Sequence, residues 1–235
     1  MGAVAGERGS YRSFAGTAPE SLRHWSVGAF ATDPRVLGWD VWNEPSNSNE
    51  GSYGKLEPAH KAQLVEALLP KVFQWAREAH PSQPLTSGVW DINFSKGSAL
   101  THMQQIQLDN SDVITFHNYS WPERFDEEVV FLQRFHRPLI CTEYMARGAG
   151  STFDTTLPLA KKYKVGAINW GLVAGKTQTY YPWDSWRHPY ILDEPTVWFH
   201  EVFHSDGRPY RKAEVKLIQE LTGRGKKAAS NTEAH

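Results

Sequence analysis

The sequence predicts an α/β fold, an incomplete (β/α) barrel of the TIM type, on three observations. From residue 36 onward short apolar runs alternate with helix-like segments, the pattern of repeated strand and helix units around a parallel sheet. Five such runs fall within the 135 residues from Val36 to Trp170, a period of about 27, close to the roughly 30 residues per unit of an eight-unit barrel. Polar and aromatic side chains collect at the ends of several runs, where a parallel barrel carries its reactive groups.

The first strand is "RVLGWDVW", ending in Asn43, Glu44 and Pro45. After it Pro58 opens a helix in which Val65, Leu68, Leu69, Val72, Phe73 and Ala76 recur at helical spacing, with a kink expected at Pro70 because proline removes one ladder hydrogen bond. "PLTSGVW" (84–90), "DVITFHNY" (112–119), "RPLICTEY" (137–144) and "VGAINWGL" (165–172) read as four further strands. Helical stretches near 100–108, 125–135 and 153–163 separate them, and two more are expected near 195–204 and 211–222, after the aromatic loop "GKTQTYYPWDSWRHPY". One domain is expected over residues 20–223, with an N-terminal arm at 1–19 and a flexible tail at 224–235.

Composition narrows the partners. The 25 basic and 26 acidic residues balance, and no basic stripe suggests nucleic acid. No apolar run approaches a membrane span, and "MGAVAGERGSYRSF" lacks the apolar core of a signal peptide, so localisation is left open, cytoplasmic in this form. A lone cysteine, Cys141, excludes an intrachain disulfide. Neither metal nor cofactor is expected. With 10 tryptophans, several should line a surface or cleft, because the indole N–H is costly to bury unpaired.

Glu44 and Glu143 each end a strand, 99 residues apart. Two carboxylates facing each other across a sugar can cleave a glycosidic bond, one protonating the leaving oxygen while the other attacks the anomeric carbon or activates water. A single strand-end glutamate is more often a solvated loop residue. Here, however, Pro45 follows Glu44 directly, which should hold it in extended geometry. Asn43 and Tyr119 are suitable hydrogen-bond donors, and Trp170 could floor a sugar ring.

"GWDVWNEP", "ITFHNYS", "LICTEY" and "AINWGLVAGKTQ", in this order, resemble the retaining (β/α)8 glycoside hydrolases, most nearly the cellulase-like members of glycoside hydrolase family 5, over residues 20–220. That resemblance implies Glu44 as acid/base at the end of barrel strand 4 and Glu143 as nucleophile at the end of strand 7. It further implies Asn43 as the ligand of the sugar 2-hydroxyl, His117 and Tyr119 as the pair that lines the cleft and orients the nucleophile, and Trp170 as the platform beside the scissile bond. Trp121, Trp183 and Trp186 follow strands 6 and 8 and are candidates for stacking on further sugar units. The substrate class implied is β-linked plant polysaccharide or oligosaccharide, β-1,4-glucan first, then mannan, xylan or galactoside.

Set on that family's frame, the sequence is expected to hold strands 4 to 8 and to lack strands 1 to 2 or 1 to 3, since only 35 residues precede Val36. Open edges and an exposed barrel interior would favour association of chains into a homo-oligomer. The alternative to an enzyme is a catalytically impaired barrel fragment that binds carbohydrate or serves as an assembly module.

Overall fold

The computed structural model describes residues 26–48, 54–92 and 99–224; the expected N-terminal arm and the tail beyond Arg224 lie outside the described residues. The chain divides into two units, one built from the described residues up to Asn47 with Pro58–Ser87 and Thr101–Asp112, the other from Ser48–Glu57, Gly88–Leu100 and Val113 onward.

In the first unit β1 (Trp39–Asp40) pairs in parallel with β2 (Leu85–Thr86). The expected strand at 35–42 thus contributes only two ladder residues, extended by Trp39 N–H donating to the Pro84 carbonyl (2.9 Å) and Val41 N–H to that of Thr86 (2.8 Å). Helix α1 (Lys61–Glu78) buries Val65, Leu69, Val72, Phe73 and Ala76, the stripe its periodicity predicts. It starts three residues after Pro58 and is continuous through Pro70, whose ring sits on the exposed side. Helix α2 (His102–Asn110) opens on a capping box in which Thr101 accepts from the Gln104 N–H and the Gln104 side chain accepts from the Thr101 N–H. The core of this unit gathers Leu69, Phe73, Leu85 and Met103, with Trp39, Val41 and Trp42 packed against it.

The second unit holds a parallel sheet in the order β3 (Ile114–Asn118), β4 (Leu139–Tyr144), β5 (Gly166–Ala167). All five residues of β3 are buried, as in the interior of a parallel sheet. Around it lie α3 (Pro122–Leu132), which starts on a proline suited to the first helical position, and α4 (Phe153–Tyr163), capped by Thr152 and Thr155. Helix α5 (Lys212–Leu221) packs on α4. These segments match the expected elements within a few residues.

Two expectations fail in this unit. The last strand stops at Ala167 rather than Leu172, because Asn169 Nδ2 donates to the carbonyls of Gly171 and His200 and draws the chain out of the ladder. Gly171 permits that approach: a Cβ there would lie 2.8 Å from the His200 Cβ. The segment 195–204, expected to be helical, is irregular. Its carbonyls are claimed from outside instead of by the next turn: Arg147 donates to those of Trp198 (2.9 Å) and Glu201 (3.0 Å), and Asn169 to that of His200 (2.9 Å). Arg147 also forms a bidentate pair with Glu214 of α5 (2.6 and 2.9 Å), so one buried guanidinium ties this segment to the helix.

Candidate active site

The β3–β4 ladder juxtaposes the ends of two strands. Ile114, Thr115 and Phe116 pair with Leu139, Ile140 and Cys141, after which the register slips by one and His117 pairs with Glu143. Thr142 is the extra residue of this bulge, its hydroxyl donating to the Phe116 carbonyl (3.4 Å). Such bulges re-aim side chains at strand ends. Here the bulge directs Glu143 toward the residues that follow β3: the Tyr119 hydroxyl donates to Glu143 Oε2 at 2.9 Å, and His117 Nδ1 lies 3.6 Å from the same oxygen. The His117 side chain is 2% exposed and that of Glu143 15%, so the carboxylate sits at the mouth of a largely enclosed site.

An aromatic wall backs this pair. Trp183 meets the Tyr119 ring edge-on at 4.9 Å, and His200 lies 5.5 Å from Tyr119 and 5.2 Å from Trp170. His200 is fixed at both ring nitrogens: Nδ1 donates to the Met145 carbonyl (2.8 Å) and Nε2 accepts from the Trp183 indole (3.1 Å). That pattern is satisfied only by the neutral ring, and burial pushes the His200 pKa down to about 4. Trp183 therefore spends its N–H on His200 and offers a substrate its ring alone. Trp170 and Trp183 remain about half exposed (50% and 46%), as a stacking surface requires.

Trp121, the N-cap of α3, is 63% exposed and lies across Gly150, where a Cβ would meet its ring at 2.9 Å. It is a flat, open ring whose backing depends on a glycine with φ of +89°. Trp186 ends the 3-10 turn Trp183–Trp186.

Glu44 and Asn43 belong to the first unit. Glu44 is half-buried and adopts φ of +43°, in the left-handed region rather than the extended geometry expected before a proline. A turn accounts for this: the Glu44 carbonyl accepts from Asn47 N–H (2.9 Å) while the Asn47 amide donates to Glu44 Oε2 (2.6 Å). Lys61 of α1 holds the Asn47 carbonyl, and Ser87 donates to that of Trp42 (2.8 Å), so the corner is clamped on both sides. Asn43 is exposed beside it.

The structure adds residues that the motifs did not single out. His200 was hidden inside a segment with helical spacing. Asn118 and Glu128 form a buried pair beneath His117 and Tyr119, with Asn118 Nδ2 donating to Glu128 Oε2 at 2.5 Å. A polar residue in the apolar run "ITFHN" was the one available signal for Asn118, and the helical spacing Phe125, Glu128, Val129, Leu132 was the signal that separates Glu128 from its exposed neighbour Glu127.

The sequence matches no protein-family model and no curated protein. Among solved structures it is similar to a glycosylated endo-β-1,4-xylanase of glycoside hydrolase family 10 from Gloeophyllum trabeum, with a TM-score of 0.52 at 17% identity over 83% of this chain and 64% of that one. The endo-β-1,4-mannanase from Thermotoga petrophila aligns with a TM-score of 0.44 at 14% identity over 68% of this chain and 39% of the mannanase. An exo-β-agarase aligns with a TM-score of 0.42 at 13% identity, over 70% and 23% of the two chains. The chain spans about 64% of the length of the xylanase it resembles. What the xylanase likeness shows is the fold, an α/β arrangement of parallel strands akin to that of the xylanase.

Proposed function

We propose that the protein is a retaining β-glycosidase in which Glu143 is the nucleophile and Glu44 the acid/base. The observation that carries this reading is the Glu143 carboxylate at a strand end, hydrogen-bonded by Tyr119 and flanked by His117, with exposed tryptophan rings alongside. In the first step Glu143 attacks the anomeric carbon and forms a covalent glycosyl-enzyme, while Glu44 gives its proton to the departing oxygen. In the second, Glu44 takes a proton from water, which displaces Glu143 and restores the starting configuration. The chemistry requires the two carboxyl groups about 5 to 5.5 Å apart on opposite faces of the bond. Tyr119 then holds the nucleophile's orientation, Asn43 reads the 2-hydroxyl, and Trp170 carries the sugar, with Trp121, Trp183 and Trp186 available to further units. The sequence motifs favour a family 5, cellulase-like enzyme acting on β-1,4-glucan first, with xylan, mannan and galactoside in the same panel.

Hydrolysis of aryl β-glycosides and of that panel tests the reading. With azide, Glu143→Ala should yield the glycosyl azide of inverted configuration, and Glu44→Ala the retained one; equal, negligible release by wild type and both variants would remove the enzyme reading.

A second reading, self-association, is favoured by one observation. In the second unit β5 ends the described sheet, and Ile168, Trp170, Leu172 and Val173 just beyond it are exposed. On this reading the residues after β5 meet a second copy of the chain, and a stable monomer in sedimentation at micromolar concentration would discard it.

A further inference from the structure

We propose that Glu128, Asn118 and Cys141 form a buried anchor that sets the aim of Glu143, with Glu128 acting as a positioning residue. The inference rests on the glycosidase reading only where activity is the readout.

A bulge leaves an unpaired residue and a weakened ladder at the point where Glu143 must be held. Three contacts compensate in this structure. Cys141, wholly buried, donates its S–H to the Glu143 carbonyl (3.3 Å) and so braces the backbone of β4 beside the bulge. The Asn118 side chain accepts from Ser120 N–H (2.9 Å) and donates to Glu128 Oε2 (2.5 Å). Glu128, on α3, is 2% exposed.

Sequence position makes this anchor consequential. Asn118 stands between His117 and Tyr119, the two residues that contact the Glu143 carboxylate. Fixing Asn118 from below fixes both neighbours, while Cys141 fixes the backbone of Glu143 itself. A carboxyl is a costly choice for a buried site, where an aliphatic residue would be stabilising. Burial pushes the Glu128 pKa up to about 8, with Asn118 opposing, so at neutral pH it is an uncharged hydrogen-bonding group. Its stability penalty and its location directly behind the site both favour a role in geometry over one in packing.

Three variants test this: Glu128→Leu, which removes the acceptor for Asn118; Glu128→Gln, which restores it; and Asn118→Ala, which cuts the link from the other side. Glu128→Leu and Asn118→Ala should lower kcat on an aryl β-glycoside roughly tenfold or more with KM within about twofold, as small misplacements of a reacting group do. Their backbone amides at His117–Tyr119 and Thr142–Tyr144 should exchange hydrogen at least about tenfold faster, and Glu128→Gln should return both readouts to within about twofold of wild type. Wild-type kcat and exchange in Glu128→Leu, or equal losses in the Leu and Gln variants, would overturn the anchor. Should Glu128→Leu not fold, Asn118→Ala decides by the same two readouts. If wild type hydrolyses nothing, the glycosidase reading falls, and hydrogen exchange alone decides the anchor.

Discussion

The two glutamate corners are held in different ways. Glu143 closes a six-residue strand in the interior of a three-stranded sheet, and its carboxylate is gripped by a side chain from the neighbouring strand end. Glu44 follows a two-residue strand and sits in a local turn with left-handed backbone, its carboxylate bonded to Asn47 three residues on. One is positioned by strand pairing, the other by a turn that Lys61 and Ser87 clamp from outside. The difference suits the proposed roles. A nucleophile must approach one carbon along one line, whereas an acid/base must alternate between two protonation states and two partners. A left-handed glutamate also stores roughly 1 to 3 kcal/mol of strain, which persists only because the surrounding clamp over-determines it.

That contrast can be broken from either side. Glu143→Gln is expected to have the largest effect, a loss in kcat of about 10^4-fold or more on every substrate, measured by initial rates. Glu44→Gln should cost about 10^2- to 10^4-fold on polysaccharide but far less on an aryl glycoside whose leaving group needs no proton; equal losses on both substrates would refute its role as acid. Tyr119→Phe should reduce kcat about tenfold by freeing the Glu143 carboxylate, without moving the thermal midpoint by more than a few degrees. Asn47→Ala should be the mildest, costing about 1 kcal/mol of stability through one lost hydrogen bond, with a small loss confined to unactivated substrates.

The pH dependence of stability sharpens the same contrast, because the second unit buries two titrating groups of opposite sense. His200 has its pKa lowered by burial from 6.5 to about 4, so it contributes stability above pH 6.5 that is lost as pH falls through that window. Glu128 has its pKa raised by burial from 4.5 to about 8, so its contribution is fully present below pH 4.5 and is lost as pH rises toward 8. Between pH 4.5 and 6.5 the two trends oppose each other, so thermal melts should be nearly level there and fall from about pH 6.5 to 8; in Glu128→Gln the alkaline fall should vanish and a rise from about pH 4 to 6.5 should emerge. An unchanged alkaline slope in that variant would show that Glu128 is not buried as an acid.

Much of this was legible from residue patterns. The stripe Val65, Leu69, Val72, Phe73, Ala76 located α1, and the apolar runs ending in Tyr119 and Tyr144 located β3 and β4 with Glu143 at a strand end. Such features depend on periodicity and on residues adjacent in the chain. The segment 195–204 misled for the converse reason: its spacing is helical, yet Arg147 and Asn169 take the carbonyls a helix would have used. Glu44 misled locally, because the Asn47 turn outweighs the preference that Pro45 imposes.

By itself, then, the sequence determined the alternation of strands and helices, the strand ends that carry Glu44, His117, Tyr119 and Glu143, and the abundance of aromatic surface. Only the tertiary structure decided the bulge at Thr142 and the neutral His200 bridging Met145 and Trp183. Those outcomes are set by which groups compete for a hydrogen bond or for the interior once distant segments meet, and that competition leaves no local pattern in the chain.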